Sequence, residues 1–238
     1  MKFRMLFVIA ASLMFGANLS YGYAVAVSNA SFESPTPDGG WSGTSGTTNG
    51  QWVYSFSDWT VNGTGGTWRP GTGMFTSIPH GSQVAFLTAN SSISQTTAEV
   101  LKDGYTYTLS AMVGTRDNAP PDGNDTIFSG AKIELLADGI PLIALNPVAS
   151  ATSGTPTQGG WTTVTLNYTF NALLNPGLEG KFLALRLSSL GSGNQTNYDL
   201  ISLTAVPLPA AAWLFGSALL GLGWTKRFRR QSREALIA

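Results

Sequence analysis

The chain has 238 residues, 11% of them charged, with no cysteine and a single histidine, His80. That excludes disulfides, thiol catalysis, cysteine-bound zinc, iron–sulfur clusters and any multi-histidine metal site. The net charge of zero divides unevenly: residues 1–24 hold two bases and no acid, 25–205 six bases and twelve acids, and 206–238 five bases and one acid. An acidic middle argues against nucleic acid, which needs a basic surface to neutralise phosphates.

In chain order, Lys2 and Arg4 precede an apolar run from Met5 to Ala17 and then small residues. This reads as a secretory signal peptide over 1–24, with cleavage after Ala24 or Ala26. From 25 to 205 the expectation is one all-β domain, a jelly-roll β-sandwich. Segments of β-branched and aromatic alternation recur between Gly, Pro, Asn and Asp turns, with no helical pattern. Predicted strands cover 83–87, 105–113, 132–137, 141–145, 162–170, 181–188 and 198–206. In the second of these Tyr105, Tyr107, Leu109, Ala111 and Val113 share one face. Asp138-Gly139 marks a hairpin turn. Two Gly/Ser/Thr-rich stretches, 35–50 and 62–73, read as long loops, a length that is usually functional or disordered. Beyond Asp199 no charge occurs until Lys226, and residues 207–224 would span roughly 27 Å as a helix at about 1.5 Å per residue. The basic cluster Lys226, Arg227, Arg229 and Arg230 would stay in the cytoplasm by the positive-inside rule, which places the middle domain outside.

The order Val206-Pro207-Leu208-Pro209, then an apolar helix, then a basic end, resembles the PEP-CTERM sorting tail. That resemblance implies a bacterial envelope and an exosortase partner cutting near the proline motif; Leu208 stands where the name-giving Glu would be. Within the middle domain, Ser28-Asn29-Ala30-Ser31-Phe32-Glu33, Asp58-Trp59-Thr60, Gly104-Tyr105-Thr106-Tyr107-Thr108-Leu109 and Tyr198-Asp199-Leu200-Ile201-Ser202-Leu203 follow one another. They are similar to the opening, second and closing strands of carbohydrate-binding modules with a galactose-binding-like jelly roll. The same layout occurs in plant cell-wall-associated proteins and in the bacterial Stig cyclases, which are calcium-dependent and close indole-terpenoid rings. The resemblance implies a structural calcium ion held by Glu33 and Asp199. Calcium takes six to eight hard oxygen ligands, and an acidic, cysteine-free domain has carboxylates to offer.

Trp41 and Trp68 in the loop-like stretches, with Trp52 just past the first of them, are the candidate platforms for stacking on sugar rings, since an aromatic face suits the apolar face of a pyranose. Trp59 and Trp161 are expected to be structural. Asp117, Asp122, Asn124 and Asp125 crowd one segment without the spacing of an EF-hand, and a solvated turn is the plainer reading there. His80 stands in a Pro-His-Gly turn with no nucleophile elbow to serve. The expected function is an exported surface or matrix protein that binds extracellular polysaccharide. The alternatives are a calcium-dependent cyclase or lyase on the same scaffold, or a purely structural protein of a biofilm matrix. Against the cyclase stands the last strand: Asn197 shares a face with Asp199, and with Asp199 on calcium, Asn197 has no acid proton to give.

Overall fold

The computed structural model describes residues 21–37, 44–45, 50–117, 128–142, 150–191 and 195–208. Fourteen strands are named among them: β1 (Tyr23–Val25), β2 (Thr44–Ser45), β3 (Gly50–Val53), β4 (Thr60–Asn62), β5 (Gly65–Arg69), β6 (Val84–Leu87), β7 (Ser92–Val100), β8 (Tyr105–Gly114), β9 (Ala131–Ala137), β10 (Ile140–Pro141), β11 (Ser150–Thr152), β12 (Trp161–Thr169), β13 (Phe182–Ser189) and β14 (Thr196–Pro207). There is no helix among the described residues, and so none long and apolar enough to cross a membrane. The signal segment, Trp41, Asp122, Asn124, Asp125, Pro209, most of the expected membrane span and Lys226, Arg227, Arg229 and Arg230 lie outside the described residues.

The strands form two sheets. The larger runs β12-β8-β14-β6-β5-β3-β2, with β1 also on β14; the smaller runs β10-β9-β13-β7-β4, with β11 also on β9. Alternation decides what each face does. On β8, Tyr107, Leu109, Ala111 and Val113 are buried, and they meet Ile133 and Leu135 of β9 and Leu183, Leu185 and Leu187 of β13 in the core between the sheets. Tyr198 enters the same core and its hydroxyl donates to the Ser188 carbonyl at 2.6 Å, tying β14 to the small sheet. Within the small sheet, buried Glu134 pairs with Arg186 (2.8 Å) and Lys132 (3.0 Å).

The compact unit is Gly22–Pro207; residues 1–21 and 208–238 make up the other. The sheet therefore begins slightly before the expected boundary at 25 and ends slightly after 205. β1 pairs Tyr23 with Ala205 and Val25 with Leu203. Val206 and Pro207, the first half of the sorting motif, are ladder residues opposite Thr106 and Tyr105. The expected loop over 62–73 is corrected: β5 occupies its centre, paired with β3 and β6. Gly65 and Gly66 are there for closeness: a Cβ on Gly66 would collide with the Val53 carbonyl, and one on Gly65 with Phe86 and Leu87.

Candidate functional site

The two acids singled out in the sequence are brought together by two backbone irregularities. Asn29 receives the amide of Phe32 on its carbonyl (3.1 Å), and its side chain donates to the carbonyls of Ser34 (2.6 Å) and Ser57 (3.2 Å). Phe32 sits at φ +57°, a conformation that bulky residues avoid, and is fully buried against Phe56 and Trp59. That packing fixes where the next residue, Glu33, points. On β14 the pairing slips between Asp199 and Ser202, and Leu200 takes φ +48°. The result is a bulge, the device by which a strand re-aims a side chain. Asp199 is completely buried on the outer face of the large sheet, opposite to Tyr198.

Both carboxylates hold one segment, the strap of residues 70–83 between β5 and β6. Asp199 Oδ2 accepts the His80 amide (2.8 Å) and Oδ1 the Leu200 amide (2.7 Å). Glu33 Oε1 accepts the amides of Ser82 (3.0 Å) and Gln83 (2.9 Å), and Oε2 the Ser82 hydroxyl (3.3 Å). Gly81 between them has φ +63°, and a Cβ there would strike the Glu33 carboxylate. His80, exposed in this turn, contributes its backbone. Burial pushes the Asp199 carboxyl up to about 7, against the pull of the two amides, and the nearby Glu33 charge adds to the rise.

Further along, the strap closes over an aromatic surface. Thr76 N–H donates to the Gly159 carbonyl (2.8 Å), Asp117 N–H to the Met74 carbonyl (2.8 Å) and Trp161 Nε1 to the Ser77 carbonyl (2.9 Å). Met74, Phe75 and Ile78 thus pack on Trp52, Trp68, Val84, Phe86 and Trp161 in a second cluster outside the main core. Phe75 stacks on Trp161 at 4.8 Å and meets Trp68 edge-on at 5.7 Å. Trp161 lies over Gly114, where a Cβ would come within 2.6 Å of its ring. Asn197, level with Phe86 and Gly114 in the ladders, is fully buried on this face. Its Nδ2 donates to the Ala85 carbonyl (3.3 Å), while its Oδ1 has no partner.

These positions correct the expectation for Trp52 and Trp68. Trp68 is not an exposed platform: it is buried, and Trp52 stands directly opposite it in the ladder, half-buried in the same cluster. The stretch around them is strand, and a strand on a covered face has somewhere to put a large ring. The exposed ring nearest this region is Tyr54, beside Val61, Gly63, Thr64 and Gly65 at an open groove of about 450 Å³. The strap's Met74, Phe75 and Ile78 escaped the sequence reading. Their signal was the run Val84-Ala85-Phe86-Leu87, apolar on both faces, which announces a strand covered on both sides.

Glu33 and Asp199 are the residues the resemblance assigns to calcium, and their chemistry fits a hard cation. They are two mutually repelling carboxylates, no Lys or Arg is bonded to either among the described residues, and the buried Gln83 Oε1 beside them lacks a donor. No third acidic or histidine side chain joins them among the described residues, so carbonyls and water would have to complete such a shell.

The fold has solved relatives. A cyclase from Fischerella sp. without ligand superposes with a TM-score of 0.63 at 20% identity, over 78% of this chain and 97% of that one. The Stig cyclase Fisc from Fischerella sp. TAU, in complex with (3Z)-3-(1-methyl-2-pyrrolidinylidene)-3H-indole, gives 0.63 and 20% over 79% and 99%. TmCBM61 in complex with β-1,4-galactotriose reaches 0.43 at 13% identity over 75% of this chain and 97% of that one, too distant to bear on function. No curated protein matches. The family model described as HpiC1 cyclase matches residues 23–204, nearly the whole folded unit, and the chain belongs to this HpiC1-like family.

Proposed function

We propose that the outer face of the large sheet, beneath the strap, binds a small, largely apolar, ring-bearing molecule, and that the protein is an exported ligand-binding member of the cyclase scaffold. The observation that carries this is Asn197. A buried amide oxygen without a partner is costly, and here it lies level with Phe86 on one side and with Gly114, over which Trp161 lies, on the other, aromatic surfaces suited to a flat ring. One polar anchor in an apolar surround is the usual make-up of a small-molecule site. Calcium, if bound, would be held by Glu33 and Asp199 and would neutralise both acids. Asp199 would then be a ligand and not a proton donor, leaving Asn197 to orient the molecule. Without the ion, Asp199 is a buried acid on this face, beside Glu33, its carboxyl pushed up to about 7 by burial and so suited to exchanging a proton at neutral pH.

A Fischerella cyclase has been solved with 4-(1H-indol-3-yl)butan-2-one, and that compound is the probe of choice. Saturation-transfer NMR on the full chain should detect its binding and show it weakened by Asn197→Leu and by Trp161→Leu, with thermal melts confirming that both variants fold. No binding at millimolar probe, or equal binding by both variants, would sink the reading.

Polysaccharide binding is the second reading, favoured by Tyr54 and its groove, since an exposed ring at an open groove can stack on a sugar. A glycan array on the wild type and on Tyr54→Ala decides it: binding lost in the variant supports it, and no glycan bound rejects it. We further propose secretion, membrane attachment through residues 207–224, and exosortase processing. Because β14 is paired through Pro207, the cut should fall at or beyond Leu208. Intact mass of the surface-exposed protein checks this, and a mature form still carrying Lys226 to Arg230 would refute it.

A further inference from the structure

Gly22–Pro207 exposes eight large apolar side chains among the described residues, and five of them stand at one end of the sandwich. Tyr23 opens β1 opposite Ala205. Phe182, 53% exposed, opens β13 opposite Val100. Leu173, 91% exposed, and Leu174 lie in the connection from β12 to β13. That connection is tied to the β7–β8 turn by the Ala172 amide on Asp103 Oδ1 (2.9 Å) and the Gly104 amide on the Phe170 carbonyl (3.1 Å). Ile140, 54% exposed, opens β10 just after the Asp138-Gly139 turn, which the Lys181–Asp138 pair (3.0 Å) holds against the start of β13.

Both ends of the unit leave from this place, since Gly22 precedes Tyr23 and Pro207 pairs with Tyr105. The chain then continues from Pro207 without a charge as far as Lys226. The site under the strap is remote: Asp199 and Pro207 stand opposite Met112 and Tyr105 of β8, seven residues apart, or about 23 Å at roughly 3.3 Å per residue. Charge at this end leans acidic: Lys102 and Lys181 stand against Glu99, Asp138, Asp103 and Glu179, the last two joined by the Asp103 amide on Glu179 Oε1 (3.4 Å). Lys102 pairs with Glu99 (2.8 Å), lies over the rings of Tyr23 (5.5 Å) and Tyr105 (5.2 Å), and donates to the Tyr23 hydroxyl (3.0 Å); Lys181 is paired with Asp138.

We infer that this end of the sandwich docks on a lipid bilayer, with Leu173, Leu174, Phe182 and Ile140 entering the interfacial layer and Tyr23 and Lys102 at headgroup level. Exposed leucines and a phenylalanine beside tyrosine and lysine are the side chains that settle at a membrane interface. An apolar concentration of this kind marks a binding surface rather than chance exposure. The occupant is a membrane because both ends of the unit emerge through the patch and the uncharged stretch that follows is long enough to span one. With both lysines paired and two acids in excess, the patch should dock on zwitterionic and not on anionic lipid, and on zwitterionic lipid it should be indifferent to salt.

The chain has no cysteine, so single reporters can be placed at will. Leu173→Cys, Ile140→Cys and Ala89→Cys each receive a fluorophore in the full chain, reconstituted in phosphatidylcholine vesicles. Ala89 is exposed in the turn at the opposite end of β7; Ala212→Cys reports on the tail. A lipid-borne quencher should extinguish the Leu173 and Ile140 reporters several-fold more than the Ala89 reporter, and aqueous iodide should do the reverse, at low and high salt alike. Equal quenching at the two ends overturns the proposal. So does shielding of Leu173 and Ile140 from both quenchers, which would mean that the tail or a second copy covers them. A quenched Ala212 reporter with unquenched Leu173 and Ile140 reporters overturns docking while leaving membrane attachment intact.

Discussion

The outer face of the large sheet has two halves, and β12, β8 and β14 run through both. Towards Asn197 and Gly114 it is covered: Trp68, Phe86 and Trp161 lie beneath the strap, and two carboxylates hold the strap's last residues. Towards Pro207 it is bare and carries hydroxyl and amide side chains paired across strands: Ser110 with Ser202, Thr106 with Thr169, and Thr108 with Asn167, each at 2.8 Å. Pairing differs as well: beyond its bulge β14 exchanges β6 for β1 as its second neighbour, so the covered half has β5 and β6 to carry Trp68 and Phe86 and the bare half does not. Hydroxyls that satisfy one another in water need no cover, whereas rings of this size do.

Substitutions in the two halves should differ in proportion. Trp68→Ala or Phe86→Ala should cost about 3–5 kcal/mol, as for other large buried truncations, measured by denaturant unfolding. A cost near zero would mean that the covered half is not a core. Next comes crowding: Gly114→Ala would drive a methyl into the Trp161 ring and should cost about 1–3 kcal/mol, relieved by pairing it with Trp161→Leu. If the double variant is no better than the single, the ring is not what limits the space.

The strap's anchor should show itself in pH. An acid whose pKa is raised on folding binds its proton more tightly in the native state, so stability falls with rising pH between the two values. For Asp199, pushed up to about 7, the melting midpoint in chelator should decline from about pH 4 to about pH 7. Asp199→Asn should flatten that decline, and calcium should abolish it in the wild type and raise the midpoint by mass action. A midpoint that ignores both pH and calcium would remove the acid pair from any role in holding the strap. The smallest effect belongs to the bare half: Thr165→Ala, on its exposed rim, should stay within about 0.5 kcal/mol of wild type.

The layers were legible in the sequence wherever alternation was clean. Tyr105 to Val113 read as one half-buried strand, and that is what it is. The motif residues of 28–33, 58–60 and 198–203 also read correctly as pieces of one layout, because each is a local device: a turn fixed by Asn29, a buried Trp59, a Tyr198 hydroxyl seeking a carbonyl. What stayed hidden depends on long-range placement. Glycine and threonine around Trp68 looked like loop because small residues signal turns. Here they are small because β3 and β6 press against β5 from either side. The strap has no periodicity at all, and its partners on 114–117, 159–161 and 197–199 are remote in sequence.

The pairing of β1 with β14 has a mechanical consequence. The two strands are antiparallel, and the chain enters the unit at the same end from which it leaves, with Tyr23 against Ala205. Force drawing Gly22 away from Pro207 would therefore load this short ladder one pair at a time, as a zipper opens, instead of shearing all its bonds together. β1 is the part that yields first, while β14 stays held along its other edge by β8. A tug on the tethers would thus be spent at the rim of the sheet, about 20 Å or more along β14 from Asn197 at roughly 3.3 Å per residue, before it reached the strap.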